Sequence, residues 1–252
     1  MRTILTAILC AMLPAMVFGG ASILFDETDD KIDAGKDSSL DNFTEIAISA
    51  WIKPRVAAHT GGILSKDAFT GRYWIFRLTS SKMDFAVYNT TSVYHSSVGA
   101  TSLVPGTWYH VVGTYDGAEI QVYLDAVADD ATPAAHSGAI KVGTTSAVGI
   151  GQQFNAANTF GGLIGEVLLY NQSFSVKEIE AMYASKGAWY PRTGLVSRWS
   201  MENNGIGTGN PHPAGSIIKD SFGSDDGTVI DGGDNSMTLD GSSPTRKKRG
   251  RR

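Results

Sequence analysis

The chain has 252 residues, of which 42% are hydrophobic and 18% are charged, which is enough apolar material for one large domain or two small ones. The net charge of −4 is uneven, because residues 245–252 carry six of the 21 basic residues and Arg2 carries another, which leaves 14 basic against 25 acidic residues between them. Such an acidic body argues against a groove for nucleic-acid phosphates and suits a protein that binds cations or neutral ligands.

The first 21 residues predict a secretory signal peptide. Arg2 precedes an apolar run over residues 4–18, and small residues follow. The run is shorter than the about 20 apolar residues of a membrane-spanning helix, so we expect cleavage near Gly20 or Ala21, with an uncleaved anchor as the alternative. The only cysteine, Cys10, lies in this leader, so the mature chain would have no disulfide or thiolate site. No other segment is apolar enough to cross a membrane, and the predicted location is secreted or cell-surface.

From residue 22 to about residue 171 the sequence is typical of short antiparallel strands. The clearest hairpin has strands at 108–115 and 120–124, joined by the turn dipeptide Asp116-Gly117. Many short strands with glycine-rich turns indicate a β-sandwich or jelly roll. Alternating apolar and polar residues predict the other strands at 46–52, 73–78, 83–87, 147–150 and 162–170.

One short helix follows these strands. Ser175 and Glu178 form a capping box, in which each side chain accepts a hydrogen bond from the other residue's backbone N–H. The helix is predicted to end at Gly187. Its apolar stripe consists of Ile179, Met182 and Tyr183.

Residues 191–243 are rich in glycine, aspartate, serine and asparagine. Within them, only residues 195–201 and 227–230 have a sequence typical of strands. Residues 244–252 form a basic tail that we expect to be disordered. The tail could contact nucleic acid, an anionic membrane or acidic glycans, or serve as a processing signal, or it could be a solvated end.

Seven sequence segments, in the order in which they occur along the chain, resemble the laminin-G-like, concanavalin A-like jelly-roll superfamily of secreted adhesive and carbohydrate-binding proteins. The resemblance covers residues 22–187 and implies an all-β fold: an antiparallel jelly-roll β-sandwich with one short peripheral C-terminal helix, in a domain at 22–190. The segments are residues 23–26, 29–32, 43–54, 63–66, 108–125, 161–171 and 175–183.

The extension at 191–243 carries a resemblance of its own. Three segments resemble the sequence that normally begins such a domain, although here they follow the last helix. They are residues 194–202, 219–221 and 226–229. We therefore expect the extension to pack back on the same sandwich and supply an edge strand, as in a circular permutation. The alternative is the stub of a second, truncated repeat.

The sequence does not predict catalysis. Glucanases of this shape place a Glu-x-Asp-x-Glu run on one strand, whereas here Lys31 follows Glu27 and Asp29 in place of the third carboxylate, and Glu166 stands alone. The histidines show no metal-ligand spacing. They are His59, His95, His110, His136 and His212.

Calcium is the one cofactor that the resemblance implies, and Asp26, Asp29 and Asp30 in the opening motif are its candidate ligands. Gly165 departs from the pattern, because related sequences often have an aspartate there. Solvated turn acids are the alternative.

Sugar binding needs exposed aromatic rings beside planar polar groups. Tyr73 and Tyr88 are predicted on the wetter face of the hairpin at 73–87, close to Arg77, Asp84 and Asn89. The alternative is an ordinary sheet surface that contains tyrosines.

These observations predict a non-catalytic recognition module that binds a glycan or another extracellular partner, with calcium assistance as an option, and no specific nucleic acid. The alternative function is a structural or adhesive component of an envelope or virion surface.

Overall fold

The computed structural model describes residues 20–68, 71–130, 133–143, 146–153, 158–201, 217–230 and 238–239. Within these ranges the chain forms seventeen β-strands, one α-helix, α1 (Val176–Ser185), and a single 3-10 turn at Ser38–Leu40. The strands are β1 (Ile23–Asp26), β2 (Lys31–Asp33), β3 (Ile46–Pro54), β4 (Gly61–Ala68), β5 (Gly71–Thr79), β6 (Lys82–Tyr88), β7 (Tyr94–Val98), β8 (Tyr109–Tyr115), β9 (Glu119–Leu124), β10 (Val127–Ala128), β11 (Ala134–Ala135), β12 (Val148–Ile150), β13 (Gly161–Tyr170), β14 (Leu195–Trp199), β15 (Ile217–Ile218), β16 (Gly227–Ile230) and β17 (Thr238–Leu239).

The described strands form two antiparallel sheets. The first sheet has the order β10-β9-β8-β3-β13-β1-β17, with β11 beside β9 and β14 beside β13. The second sheet has the order β15-β16-β2-β12-β4-β5-β6-β7. The predicted antiparallel β-sandwich with one short helix is therefore confirmed.

Strand β13 is central to the first sheet and is buried along its whole length. It pairs with β3 through a register shift between Ile164 and Val167. Gly162 is required beside this irregularity, because it has a φ of +136° and a Cβ there would lie 2.2 Å from the Lys53 carbonyl oxygen. A residue with a side chain would force β3 and β13 apart at this end.

The inward faces of the two sheets meet in one continuous hydrophobic core. Alternation along each strand sends every second side chain inward, which is why the strand periodicity of the sequence was informative. The largest completely buried side chains of this core are Trp74, Trp199, Tyr115, Phe25, Phe76, Phe85 and Phe160.

The helix covers the outer face of the first sheet. Ser175 accepts a hydrogen bond from the Glu178 backbone N–H, and Glu178 accepts one from the Ser175 N–H at 2.8 Å, as the sequence predicted. Ile179 and Met182 are buried against this face. The helix ends at Ser185, and both Lys186 and the predicted terminating residue Gly187 then take positive φ values, of +53° and +83°.

Strands from the extension pair with strands of the main domain in both sheets. Strand β14 pairs with β13, β16 pairs with β2, and β17 pairs with β1. Trp199 on β14 is completely buried, and its indole Nε1 donates to the Asp225 carbonyl oxygen at 2.7 Å.

The basic tail lies outside the described residues. The predicted leader also lies outside them, except for its last two residues, Gly20 and Ala21. No helix in the described part of the chain is long and apolar enough to cross a membrane.

Candidate ligand-binding site

The outer face of the second sheet carries the candidate site, on β5, β6 and β7. Trp74 and Phe76 on β5 point into the core, so the alternating Ile75 and Arg77 point outward. Opposite residues of antiparallel strands share a face, which brings Ala86 beside Ile75. Ile75, Ala86 and Tyr88 form a small apolar cluster there, separate from the main core.

Two tyrosines and two arginines surround this cluster. Tyr88 and Tyr94 lie opposite each other on β6 and β7, with ring centroids 5.2 Å apart and planes inclined by 59°. Arg72 Nη1 donates to the Tyr88 hydroxyl at 3.3 Å, and Arg77 Nη2 donates to the Tyr94 hydroxyl at 3.3 Å. Together these residues and Ile75 line a groove of about 420 Å³, which we call the tyrosine groove.

A buried aspartate lies beside each arginine, and that of Arg77 hydrogen-bonds it directly. Asp84 accepts from Arg77 Nε at 2.7 Å and from Thr79 Oγ1 at 3.0 Å. Asp67 lies 3.6 Å from Arg72 Nε. Burial alone would lower the pKa of Arg77, but Asp84 and Tyr94 outweigh it and raise this pKa. The Arg77 guanidinium is therefore permanently charged and fixed in orientation, as recognition of planar polar groups requires, whereas the Arg72 side chain is about half exposed.

Tyr73 does not belong to this groove, which corrects the sequence prediction. It is only 3% exposed and its ring packs in the main core. The register of β4 and β5 shifts between Lys66 and Asp67, because Lys66 pairs with Trp74 whereas Asp67 pairs with Arg72. Tyr73 is thus the extra residue of a β-bulge, which breaks the alternation and puts Arg72 on the outer face instead.

The other predicted ligand residues separate into three positions. Arg77 and Tyr88 line the tyrosine groove, and Asp84 is buried beneath it and positions Arg77. Asn89 lies at the β6–β7 turn, where its side-chain oxygen accepts from the Val93 backbone N–H at 2.9 Å and from Thr91, so it is occupied in shaping the turn.

Three groove residues were not predicted from the sequence: Arg72, Ile75 and Tyr94. Tyr94 is 41% exposed and offers the largest free aromatic surface of the groove. The short strand β7 has no clear alternation, although its tyrosine after a turn was a signal that could have been used. The sequence contains no signal that places Arg72 on the outer face of the sheet, because that placement depends on the bulge at Tyr73.

The acidic loop after β1 brings Asp26, Asp29 and Asp30 together, with one carboxylate oxygen of each within 4.8 Å of the others. Asp30 is buried and accepts from the Asp26 backbone N–H at 2.9 Å. Asp26 accepts from the Thr28 backbone N–H at 2.7 Å. Burial acts to raise the pKa of Asp26, but this and neighbouring hydrogen bonds outweigh it and lower the pKa. The loop therefore brings together carboxyl groups, which are the kind of oxygen ligand that Ca²⁺ prefers.

The carboxylates considered for hydrolysis have structural partners. Glu27 lies 3.0 Å from His59 Nδ1, and His59 Nε2 accepts from the Gly161 backbone N–H at 2.8 Å. Glu166 accepts from Arg198 Nε at 2.6 Å. Both contacts connect separate parts of the sandwich.

Comparison with known proteins agrees with this architecture. Among solved structures, a candidate carbohydrate-binding protein from Bacteroides ovatus ATCC 8483 superposes with a TM-score of 0.64 at 15% identity, over 88% of this chain and 60% of that protein. The heptameric SAP-like pentraxin of Limulus polyphemus superposes with a TM-score of 0.55 at 15% identity, over 89% of this chain and 96% of the pentraxin. At these identities the likeness shows the fold, and this chain spans about 60% of the Bacteroides protein.

The family model Laminin_G_3 matches residues 26–180, which run from the end of β1 into α1. This match covers more than half of the sequence, and the two antiparallel sheets are those of a jelly-roll sandwich. The chain therefore belongs to the Laminin_G_3 family of the concanavalin A-like lectin/glucanases superfamily.

Proposed function

We propose that this protein is a non-catalytic, extracellular carbohydrate-binding module whose ligand lies in the tyrosine groove. One observation carries the proposal: the exposed ring of Tyr94 stands beside Tyr88, and each tyrosine hydroxyl is hydrogen-bonded to an arginine. The described residues place no helix over this face, unlike the outer face of the first sheet.

The chemistry of the groove matches that of a sugar ring. A pyranose or furanose has weakly polar C–H faces, which pack on aromatic rings, and hydroxyls at its edge, which need planar donors and acceptors. Tyr94 offers the exposed aromatic surface above the buried Ile75, while Arg72 and Arg77 offer donors at either end. The paired aspartates nearly neutralise the arginines, so the groove suits a neutral or weakly acidic glycan.

The comparisons support this assignment at the level of class. The family description includes lectins, and the Bacteroides protein is a candidate carbohydrate-binding protein. Fold alone does not identify the sugar, because binding residues vary on a common scaffold. The secreted location rests on the predicted leader at residues 1–21.

A glycan array with purified protein tests the proposal. We expect the wild type to bind a defined set of glycans, Tyr94→Ala to lose at least tenfold in affinity, and Tyr94→Phe to keep most of it, because the ring remains. Trp189→Ala removes an equally exposed aromatic ring elsewhere and is the matched control. Binding that survives Tyr94→Ala would place the ligand elsewhere. An array without any binding would remove the glycan assignment, and self-assembly of the protein would then favour the structural or adhesive alternative.

We also propose that the acidic loop of Asp26, Asp29 and Asp30 binds calcium and thereby stabilises the sandwich. The support is the convergence of three carboxylate oxygens at the end of β1. The ion would be held by these oxygens and by backbone carbonyls or waters, because Ca²⁺ takes six to eight oxygen ligands.

A further inference from the structure

A second cavity lies at the open edges of the two sheets, remote in sequence from the acidic loop. Strand β7 is the edge of the second sheet, and β11 lies at the edge of the first sheet beside β9. The two edges contact each other. His95 lies on β7, and His136 directly follows β11, so each sheet contributes one histidine.

The two imidazoles face each other across this edge. His95 is opposite Val87, whose side chain belongs to the main core, so His95 points inward between the sheets. The ring centroids of His95 and His136 are 4.4 Å apart and the planes are inclined by 51°. The ring of Tyr115 lies 5.0 Å from that of His136 and closes the inner side.

His136 is in an unusual state for a buried histidine. It is only 4% exposed, and neither ring nitrogen has a hydrogen-bond partner among the described residues. Its backbone is fixed, because its N–H donates to the Ala118 carbonyl oxygen at 2.8 Å. Burial and the neighbouring His95 lower the pKa of His136. A buried polar atom without a partner is costly, and a bound group that uses it recovers that cost.

The space for such a group exists. His95 and His136 line a cavity of about 380 Å³, together with the Gly117–Ala118 turn and Asn89. The side-chain oxygen of Asn89 is engaged in the β6–β7 turn, whereas Ser137 also lines the cavity and offers a hydroxyl oxygen beside the two histidines.

We propose that His95 and His136 bind a late first-row divalent metal ion, with Zn²⁺ as the representative, and so join the edges of the two sheets. Neutral imidazole is a preferred ligand of these ions, whereas Ca²⁺ and Mg²⁺ prefer oxygen. Two imidazoles around one tetrahedral ion have ring centres about 5 Å apart, which is close to the 4.4 Å separation of this pair. Water or a ligand oxygen completes the coordination.

The bound ion would add a link between β7 and the segment after β11, at an edge where Ser97 of β7 already donates to Asp130. A ligand that binds the folded chain and not the unfolded one stabilises it in proportion to the logarithm of its concentration over Kd. The site is thus independent of the tyrosine groove and of the acidic loop, and it uses a different class of metal from the acidic loop.

Titration calorimetry of the full chain with ZnCl₂ is the test. We expect one ion per chain, a higher melting temperature with Zn²⁺, and no competition from millimolar Ca²⁺. His95→Gln and His136→Gln should each weaken Zn²⁺ binding more than tenfold. Asp29→Asn is the matched control and should leave Zn²⁺ affinity unchanged, which separates this site from the acidic loop.

Histidine-ring NMR provides a readout that does not depend on the stability of a variant. Of the five histidines, we expect the ring signals of His95 and His136 to move first as Zn²⁺ is added to the wild type. If His136→Gln does not fold, the Zn²⁺ affinity of His95→Gln and the NMR titration of the wild type still test whether the two histidines bind the ion. Absence of stoichiometric Zn²⁺ binding to the wild type, or unchanged affinity in His95→Gln, would overturn the proposal.

Discussion

Arg198 Nε donates to Glu166 Oε1 at 2.6 Å, and this ion pair connects the extension strand β14 to the central strand β13. The Glu166 side chain is only 6% exposed, whereas that of Arg198 is 21% exposed. The same arginine donates through Nη1 to Ser221 Oγ at 2.9 Å. A carboxylate that the sequence left without a role is therefore a structural anchor for the segment that follows the helix.

Removing this arginine should destabilise the fold. Arg198→Met leaves a buried carboxylate without its guanidinium, and we expect the free energy of unfolding in urea to fall by about 2 kcal/mol. The double variant with Glu166→Gln should recover part of the loss, because no unpaired charge remains. Arg192→Met changes an exposed arginine and should leave the free energy within about 0.5 kcal/mol of the wild type. Equal effects of the two arginine variants would contradict the anchoring role.

Trp199 should be among the most sensitive positions of the chain. Trp199→Ala removes a completely buried indole and its hydrogen bond to Asp225, at an expected cost of about 3–5 kcal/mol in unfolding free energy. The exposed Trp189 is the control, since Trp189→Ala should have little effect.

A chain that ends at residue 190 addresses the extension as a whole. We expect it to lose cooperative unfolding, because Trp199, Ile218 and Val229 belong to the main core. A truncated chain that is soluble and unfolds like the full-length protein would instead support the alternative of a truncated second repeat.

The buried His110 should make the protein less stable in mild acid. Burial lowers the pKa of His110 to about 3, and its Nε2 lies 2.8 Å from Ser49 Oγ. In the unfolded chain this histidine binds a proton near pH 6.5, so its contribution is present above that pH and decreases as the pH falls towards 3. Between pH 7 and pH 5 we expect a loss of about 2 kcal/mol from this group.

Urea unfolding of the wild type and of His110→Gln at both pH values isolates this effect. Glutamine does not titrate and can still hydrogen-bond Ser49, so its stability should fall by less than that of the wild type. An identical pH dependence of the two proteins would assign the acid sensitivity to other groups.

Calcium should raise the melting temperature if the acidic loop binds it. At a Ca²⁺ concentration well above Kd we expect an increase of about 3 °C or more over chelator-treated protein, with the increase abolished in Asp29→Asn. Glu180→Gln, on the exposed side of α1, should keep the response. A wild-type melting temperature that the chelator does not change would end the calcium proposal.

Much of the sandwich was predictable from local sequence. The strands β3, β5, β6, β8 and β9 follow alternating side chains, and the capping box located the start of α1, because both signals depend only on residues close in the chain. The end of α1 also follows from local sequence, because Gly187 takes the positive φ expected after a helix, although Lys186 shares that conformation without any sequence signal for it.

The candidate sites were only partly predictable. Arg77 and Tyr88 follow from ordinary alternation, whereas the bulge at Tyr73 reversed the face of this tyrosine and of Arg72. Register shifts depend on the partner strand, which a single strand's sequence does not specify. The meeting of His95 and His136 depends on how the two sheets stack, so no spacing between them could have indicated it.

The pairing of β17 with β1 joins Leu239 to Ile23, from nearly opposite ends of the described sequence. During synthesis, the first strand emerges from the ribosome long before its neighbour exists. Contacts of such long range close late and slow the folding of β proteins. A nascent chain therefore exposes an incomplete core until its last strands are made, which makes the order of translation, and any chaperone that delays folding, part of how this sandwich is assembled.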